Sequence, residues 1–507
     1  MKRLKNLVFF IFICLIIFRC SSPMEDEPVP ENGELTLTSI SPESKVAHMP
    51  SFTFTVKGSN FVSGSNIVFN GTEKQTVYVS STELACQVDP DDTVLGSSAV
   101  HESMLFEIQQ SEAVPVLVRN PSPGGGDSNS IEFTIRDNHS FDLPENLSNN
   151  LGISGLPAIA VDSSENINVA WCDDTPGNFE ICFIRSTDDG TSWSKSVNIS
   201  NNSGFSGYPA IAVDDAENIN VVWCDYTPGN LEIYFSRSTN GGVTWSQGVN
   251  ISNNSGTSDE PTHPAIAVDD AENINVFWWD DTPGNNDIYF VRSTDDGASW
   301  SKSVNISNNS GFSGAPAIAV DDAGNINVVW CDDTPGNIEI YFSRSTNDGV
   351  TWSQGVNISN NFRESICPDI AVDSSGNIDV VWFDNTPGNF EIYFSRSTDN
   401  GVSWSQTVNI SDSWKGSEFV RIAVDVAGNI NVVWCEYTPQ GGGQEIYFSR
   451  STDDGVSWSQ AVNISEFSGG EDSPPCIAVD PAGNINLLWC DCSTQGDEDI
   501  YFTRSTR

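Results

Sequence analysis

Nine residues in the last third of the chain carry side chains that could hold a ligand. They comprise two aromatic rings, three cations, two carboxylates and two amides: Trp414, Tyr437, Arg363, Lys415, Arg421, Glu364, Asp369, Gln440 and Gln444. An aromatic ring offers a flat surface on which a sugar or peptide can stack, and the polar groups offer directional hydrogen bonds. We therefore expect a ligand-binding site for a glycan or a protein.

The same residues leave a catalytic alternative open. A glycoside hydrolase or lyase would place Glu364, Asp369 and Arg421 around a pocket, and glycoside hydrolysis needs two convergent carboxyl groups. The sequence does not establish that these carboxyl groups converge, so no residue is assigned a catalytic role. A third interpretation is sequence drift, with a structural ion pair between Asp369 and Arg421.

These residues stand out because they interrupt a repeat. A Trp at the end of Ile-Asn-Val-Val-Trp or a close variant recurs every 52 or 55 residues, at Trp171, Trp223, Trp278, Trp330, Trp382, Trp434 and Trp489. Seven units thus nearly fill residues 139–507. The first four units have Ala near the start of their first strand, whereas units five to seven have Asp369, Arg421 and Cys476.

Each unit contains four short β-rich runs separated by turn residues. The second run, such as Val221-Val222-Trp223-Cys224, is continuously apolar rather than alternating, which predicts a strand buried on both faces. Packing each sheet between two neighbours gives that burial, so the pattern predicts an all-β, seven-bladed β-propeller over residues 139–507. An open solenoid is the alternative.

The two ends of the repeat array are complementary. The seventh unit lacks a fourth run, whereas residues 139–149 align with one and place Phe141 and Leu147 where other units have Trp and Ile. We therefore expect an N-terminal strand to complete the last blade and close the ring, which removes exposed sheet edges.

Six turns of the repeat share the motif Ser-Thr-Asp-Asp-Gly-Thr-Ser-Trp or a variant of it. The Asp place is filled by Asp188, Asn240, Asp295, Asn347, Asp399 and Asp453. The motif resembles the Asp-box, or BNR repeat, of the sialidase-like propeller superfamily. The resemblance implies that these side chains cap turn N–H groups on the face opposite the ligand. Calcium binding is the weaker alternative, and no cofactor or metal site is otherwise expected.

The resemblance also raises sialidase activity as an alternative. Sialidases hold a substrate carboxylate with three arginines, but here one Arg recurs just before the Asp-box position in every unit, and seven equivalent residues cannot line one pocket. Beyond that set the repeats contain only Arg363 and Arg421 before the terminal Arg507, and no Phe-Arg-Ile-Pro segment. The sequence thus leans against catalysis.

Residues 35–136 precede the repeats and alternate short β-rich runs with turns, which predicts a β-sandwich. The order Ser39-Ile40-Ser41-Pro42, Gly58-Ser59-Asn60-Phe61 and Val118-Arg119-Asn120-Pro121 resembles an IPT/TIG domain of the immunoglobulin-like class. The resemblance implies a spacer or interaction module on a surface protein.

Residues 1–20 are typical of a secretory signal, because three basic residues precede an apolar run too short to span a membrane. Ile17-Phe18-Arg19-Cys20 resembles a bacterial lipobox, although Arg19 departs from the small residue expected there. The resemblance implies a lipid on Cys20, with simple secretion as the alternative. The acidic, Pro-containing residues 21–34 are expected to form a tether.

The net charge and the cysteine positions exclude one class of partner and one kind of structure. The 507 residues include 22 Lys and Arg against 69 Asp and Glu, giving a net charge of −47, which excludes nucleic acid as a partner. Five Cys directly follow the repeat Trp, which predicts small buried side chains rather than a disulfide framework.

We expect a monomeric, exported cell-envelope protein, attached to the membrane only through its lipid, that binds a glycan or protein. A purely structural or adhesion component is the remaining alternative.

Overall fold

The computed structural model describes residues 35–41, 44–46, 52–88, 111–121, 126–136, 141–150, 152–227, 229–253, 263–281, 284–334, 336–437, 443–465, 472–494 and 497–505. The chain divides into two compact units, Met1–Asp137 and Asn138–Arg507. The described residues contain only strands, turns and irregular segments. Within them, no helix is long and apolar enough to cross a membrane.

The first unit is a sandwich of a four-stranded and a five-stranded sheet, with strand orders β1-β3-β7-β6 and β2-β9-β8-β4-β5. Its strands are β1 (Thr36–Ser41), β2 (Ser44–Val46), β3 (Phe52–Ser59), β4 (Asn66–Phe69), β5 (Thr72–Glu73), β6 (Thr76–Ser80), β7 (Glu83–Val88), β8 (Ser111–Arg119) and β9 (Ile131–Arg136). Alternate side chains of both sheets, including Phe54, Val56 and Val116, meet in one buried core.

The described part of the second unit contains seven antiparallel four-stranded sheets, called blades 1–7 in chain order. Blade 1 comprises β11 (Ser154–Val161), β12 (Ile167–Asp173), β13 (Glu180–Ser186) and β14 (Val197–Asn198); blade 2, β15 (Ser206–Val213), β16 (Ile219–Asp225), β17 (Glu232–Ser238) and β18 (Val249–Asn250); blade 3, β19 (Ala265–Val268), β20 (Ile274–Asp280), β21 (Asp287–Ser293) and β22 (Val304–Asn305); and blade 4, β23 (Ser313–Val320), β24 (Ile326–Asp332), β25 (Glu339–Ser345) and β26 (Val356–Asn357). Blade 5 comprises β27 (Ser365–Val372), β28 (Ile378–Asp384), β29 (Glu391–Ser397) and β30 (Val408–Asn409); blade 6, β31 (Ser417–Val424), β32 (Ile430–Tyr437), β33 (Gln444–Ser451) and β34 (Val462–Asn463); and blade 7, β35 (Asp472–Val479), β36 (Ile485–Thr494), β37 (Asp497–Ser505) and the N-terminal β10 (Glu145–Asn146).

The second strand of each blade explains why the sheets pack face to face. In β16 every residue from Ile219 to Asp225 is buried, as the continuous apolar run predicts. One core cluster joins Val222 of blade 2 to Ile274 and Trp278 of blade 3, and the other clusters join neighbouring blades in the same way. The first strands contact one another around the centre, including β11 with β35. The predicted all-β fold, a sandwich followed by a propeller, is confirmed.

The N-terminal segment completes blade 7, as predicted. Glu145 and Asn146 pair with Phe502 and Tyr501 in antiparallel register, and the Leu147 N–H donates to the Ile500 carbonyl at 2.7 Å. Phe141 packs edge-on against Phe448 of blade 6, with ring centroids 5.3 Å apart. The Trp residues of the other blades make the same contact with the preceding blade, such as Trp193 with Phe502 at 5.1 Å.

Candidate ligand-binding site

The first strands of the seven blades surround a cavity of about 380 Å³. Two repeat positions, in or just before the first strand, contribute a lining residue from every blade. One, here called the bulge position, holds Leu156, Tyr208, His263, Ala315, Cys367, Phe419 and Pro474; the other, two residues later, holds Ala158, Ala210, Ala265, Ala317, Asp369, Arg421 and Cys476. Blades 1–4 thus supply mostly apolar groups at these positions, whereas the charged side chains and the thiols come from blades 5–7.

The backbone is strained at the bulge position. Five non-glycine residues there have positive φ, namely Leu156 (52°), Tyr208 (54°), Ala315 (49°), Cys367 (50°) and Phe419 (54°). In each of these blades the pairing of first and second strands shifts register at this point, as in blade 5 between Ile366 and Asp369. Such bulges re-aim side chains, and strained residues cluster at functional sites. The cavity is therefore a candidate site.

Asp369 and Arg421 lie on neighbouring first strands at the charged part of the lining. Asp369 Oδ2 accepts a hydrogen bond from the Ile422 N–H at 2.9 Å, and Arg421 Nη1 donates to the Val420 carbonyl at 3.0 Å. Burial raises the pKa of Asp369, while the Arg421 charge opposes this rise. Among the described contacts, no direct ion pair joins the two side chains, but their charges interact: burial lowers the pKa of Arg421, and the Asp369 charge raises it. Arg421 retains further N–H donors for a ligand.

Two cavity residues that the sequence analysis did not single out are Tyr208 and His263. Their ring centroids lie 4.4 Å apart. Burial, assisted by the Arg421 charge, lowers the pKa of His263 to about 4, so the imidazole is neutral at pH 7 and can accept a proton or a hydrogen bond. Their repeat position holds a different residue in every unit, so neither residue departs from a shared one that would have marked it in the sequence.

The other described residues of the predicted set lie outside the cavity lining, in loops that precede first strands or at the strand ends that flank the loop after a second strand. Because Ser417 pairs with Glu436, these two kinds of loop share one end of the blade. Lys415 Nζ forms an ion pair with Glu436 at 3.1 Å and lies 5.7 Å from the Tyr447 ring centroid. The Tyr437 hydroxyl donates to Glu418 at 3.1 Å. Trp414 directly precedes Lys415 in the same loop, and 78% of its surface is exposed.

Blade 5 repeats this arrangement in the preceding loop. Phe362, which is 75% exposed, precedes Arg363, and the Arg363 guanidinium carbon lies 5.8 Å from the Phe362 ring centroid. Aligned on the first strand, Phe362 and Arg363 occupy the positions of Trp414 and Lys415. The sequence analysis missed Phe362, although this alignment could have found it. The loop residues of the two blades form what we call the rim pair, Phe362 and Trp414.

The other predicted ligand residues are placed as follows. Glu364 is exposed in the blade 5 loop, and Gln444 begins β33, where it pairs with Tyr437. Gln440 and the predicted lipid site Cys20 lie outside the described residues. Of the described cavity residues, only Asp369 carries a carboxyl group. Glu364 therefore does not join Asp369 in the cavity lining.

The Asp-box side chains hold their own turns together. Asp188 Oδ1 accepts a hydrogen bond from the Ser192 N–H at 2.8 Å, and the Ser192 hydroxyl donates to Oδ2 at 2.7 Å. These bonds lower the pKa of Asp188. Gly190 has φ of 83°, and a Cβ there would lie 2.5 Å from the Phe502 ring, so only glycine fits. Within the described part of the chain, no group of three or more His, Cys, Asp or Glu could hold a metal ion.

The repeated arginines are structural as well. Arg237 Nη2 pairs with Asp214 of its own blade at 2.8 Å and with Asp296 of blade 3 at 2.9 Å. The same double pairing joins blades 3 and 4, 5 and 6, and 7 and 1. These arginines are engaged at the Asp-box end of the blades and are not among the residues that line the cavity.

Comparison with known proteins agrees with this architecture. The family model described as a BNR repeat-like domain matches residues 228–487, and the IPT/TIG domain model matches residues 35–135. No curated protein matches the chain.

Three solved structures are similar to parts of this chain. A protein of unknown function from Dyadobacter fermentans is 14% identical, with a TM-score of 0.45, 61% of this chain covered and 97% of that one. An ulvan lyase from a new family of polysaccharide lyases is 13% identical, with a TM-score of 0.47 and coverages of 69% and 93%. A Hadza microbial sialidase is 14% identical, with a TM-score of 0.41 and coverages of 83% and 75%. These likenesses are too distant to assign an activity or a ligand.

The BNR model spans just over half of the chain, and the family models confirm the Asp-box and IPT/TIG resemblances drawn from the sequence motifs. The chain belongs to the BNR repeat-like family and carries an IPT/TIG domain before its repeats.

Proposed function

We propose that this protein is an exported surface lipoprotein, anchored through Cys20, whose propeller binds a polysaccharide without cleaving it. The observation that carries the proposal is the rim pair. Phe362 and Trp414 expose large aromatic side chains at one loop position of neighbouring blades, and a basic residue follows each of them. The sandwich of the first unit serves as a spacer.

The chemistry of the rim pair favours a sugar chain as the ligand. Exposed aromatic rings are costly to leave in water and stack well on the flat, apolar faces of sugar rings. Blades 2 and 4 have Ser203 and Ser310 at this position, each followed by Gly, so the aromatic surface is restricted to particular blades. Two aromatic groups on adjacent blades suit a ligand made of repeating units. A protein ligand is the alternative outcome.

Binding of a polysaccharide panel to the purified full chain tests the proposal. We expect Phe362→Ala and Trp414→Ala each to weaken binding at least about tenfold, roughly 1.4 kcal/mol, because each removes a stacking surface. Val456→Ala is the matched control, since Val456 is also 78% exposed but lies in an Asp-box turn at the opposite end of the blade. Equal loss in the control, or unchanged binding in both rim variants, would overturn the assignment.

A catalytic function is a second candidate because of the cavity. The neutral His263 could abstract a proton, and Arg421 could stabilise negative charge on a substrate, which is chemistry that a lyase requires. The two-carboxylate mechanism of glycoside hydrolysis is not supplied by the described cavity residues. Released sugar products, lost in His263→Ala and retained in Trp414→Ala, would favour catalysis over simple binding.

A further inference from the structure

Two thiols meet at the junction of blades 4 and 5. Cys331 lies in β24, the second strand of blade 4, and Cys367 lies at the bulge position of blade 5. The Cys367 N–H donates to Cys331 Sγ at 3.0 Å. Since an N–Cα bond is about 1.46 Å long, the Cys331 sulfur lies within about 4.5 Å of the Cys367 Cα. This position of the Cys331 sulfur beside the Cys367 backbone brings the two cysteines within reach of each other, since a disulfide joins Cα atoms about 4.4–6.8 Å apart.

The same junction lacks an electrostatic link present elsewhere. The residue after the Asp place of the Asp-box turn is an Asp in blades 3, 4 and 6. Each of these carboxylates pairs with the arginine of the preceding blade: Asp296 with Arg237 at 2.9 Å, Asp348 with Arg292 at 3.0 Å and Asp454 with Arg396 at 3.1 Å. In blade 5 the residue at this position is Asn400, which has no charge to offer Arg344 of blade 4. The described ion pair of Arg344 is with Asp321 of its own blade. Blades 4 and 5 are thus joined without this pairing.

We propose that Cys331 and Cys367 form a disulfide that ties blade 4 to blade 5 in the exported protein. Both residues are thiols in the structure. Two thiols lose two protons and two electrons as the sulfur–sulfur bond forms, and a second disulfide, such as oxidised glutathione, takes the electrons and becomes two thiols. Burial raises the pKa of both cysteines, so the exchange takes place during folding, before the thiolates are excluded from water.

Peptide mapping tests the disulfide directly. The full chain is unfolded in urea, refolded in a mixture of oxidised and reduced glutathione, alkylated and digested with trypsin. Cleavage after Lys302, Arg344, Arg363 and Arg396 leaves each cysteine as the only one in its peptide. We expect one linked species that separates on reduction. Alkylation of both thiols, or linkage of either to a third cysteine, would overturn the proposal.

Melting curves with and without reductant provide a second readout. We expect reductant to lower the melting temperature of the native chain and to have no such effect on Cys331→Ala. Cys172→Ala is the matched control, because Cys172 has the same repeat position and is equally buried but faces Tyr208 rather than a thiol. A reductant effect that persists in Cys331→Ala would contradict the cross-link.

Discussion

Asp379 shows how a single atom change alters one blade. The other six blades have Asn at this repeat position, and in blades 2, 3 and 4 the Asn oxygen accepts a bond from the blade's Arg, as Asn327 does from Arg344 at 2.8 Å. Asp379 takes the same role toward Arg396 at 2.7 Å, but it is a fully buried carboxyl group. Burial raises its pKa to about 7, even though the Arg396 charge lowers it.

This shift predicts a pH-dependent stability. The folded protein holds a proton on Asp379 that the unfolded chain releases near its ordinary pKa, so the free energy of unfolding falls as pH rises from about 4 to 7. We expect Asp379→Asn to remove this loss and to be more stable than the native chain at pH 8 by on the order of 2 kcal/mol. Urea unfolding at pH 5 and pH 8 measures the difference. The reciprocal Asn327→Asp should introduce the same pH dependence into blade 4, and an unchanged profile in both variants would refute the explanation.

At the scale of the elements, the strands were more predictable than the residues that line the cavity. The run Val221-Val222-Trp223-Cys224 predicted a strand buried on both faces because only packing between two sheets hides every residue. The bulge was not predictable, because a Leu, Tyr or Phe in the left-handed region has no local sequence signature and is held there by the surrounding sheet. Asp369 and Arg421 were found because they replace Ala, whereas Tyr208 and His263 occupy a position with no common residue to replace.

The pairing between blades predicts a stabilising substitution. Asn400 has φ of 64°, similar to 60–61° at Asp296, Asp348 and Asp454, so an Asp fits there without new strain. We expect Asn400→Asp to form the missing contact with Arg344 and to raise the free energy of unfolding by about 0.5 kcal/mol, with the gain reduced in high salt. Asp454→Asn is the reverse change at the next junction and should lower it similarly. If both variants shift stability in the same direction, the inter-blade pairing is not the cause.

At the scale of the whole molecule, closure of the ring depends on a few side chains of the N-terminal segment. Phe141 is 9% exposed and packs with Phe448, Trp489 and Val433 in the core between blades 6 and 7. We expect Phe141→Ala to lower the free energy of unfolding by about 3 kcal/mol, since it leaves a cavity at the junction. Phe141→Trp, which restores the residue of the other blades, should retain stability in urea unfolding. Equal stability of the Ala variant and the native chain would show that the segment does not hold the ring closed.

Closure also sets a waiting time during synthesis. The Asn146 amide donates to Asp499 at 2.8 Å, yet these residues are 353 positions apart. At typical rates of 5–20 residues per second, β10 is made roughly 20 to 70 s before the strand it pairs with. Throughout that interval the first strand of the second unit is without its partner, and the ring is not completed until β37 has been made. A ribosome that stops early therefore releases a chain with an open sheet edge, which is the kind of surface that aggregates.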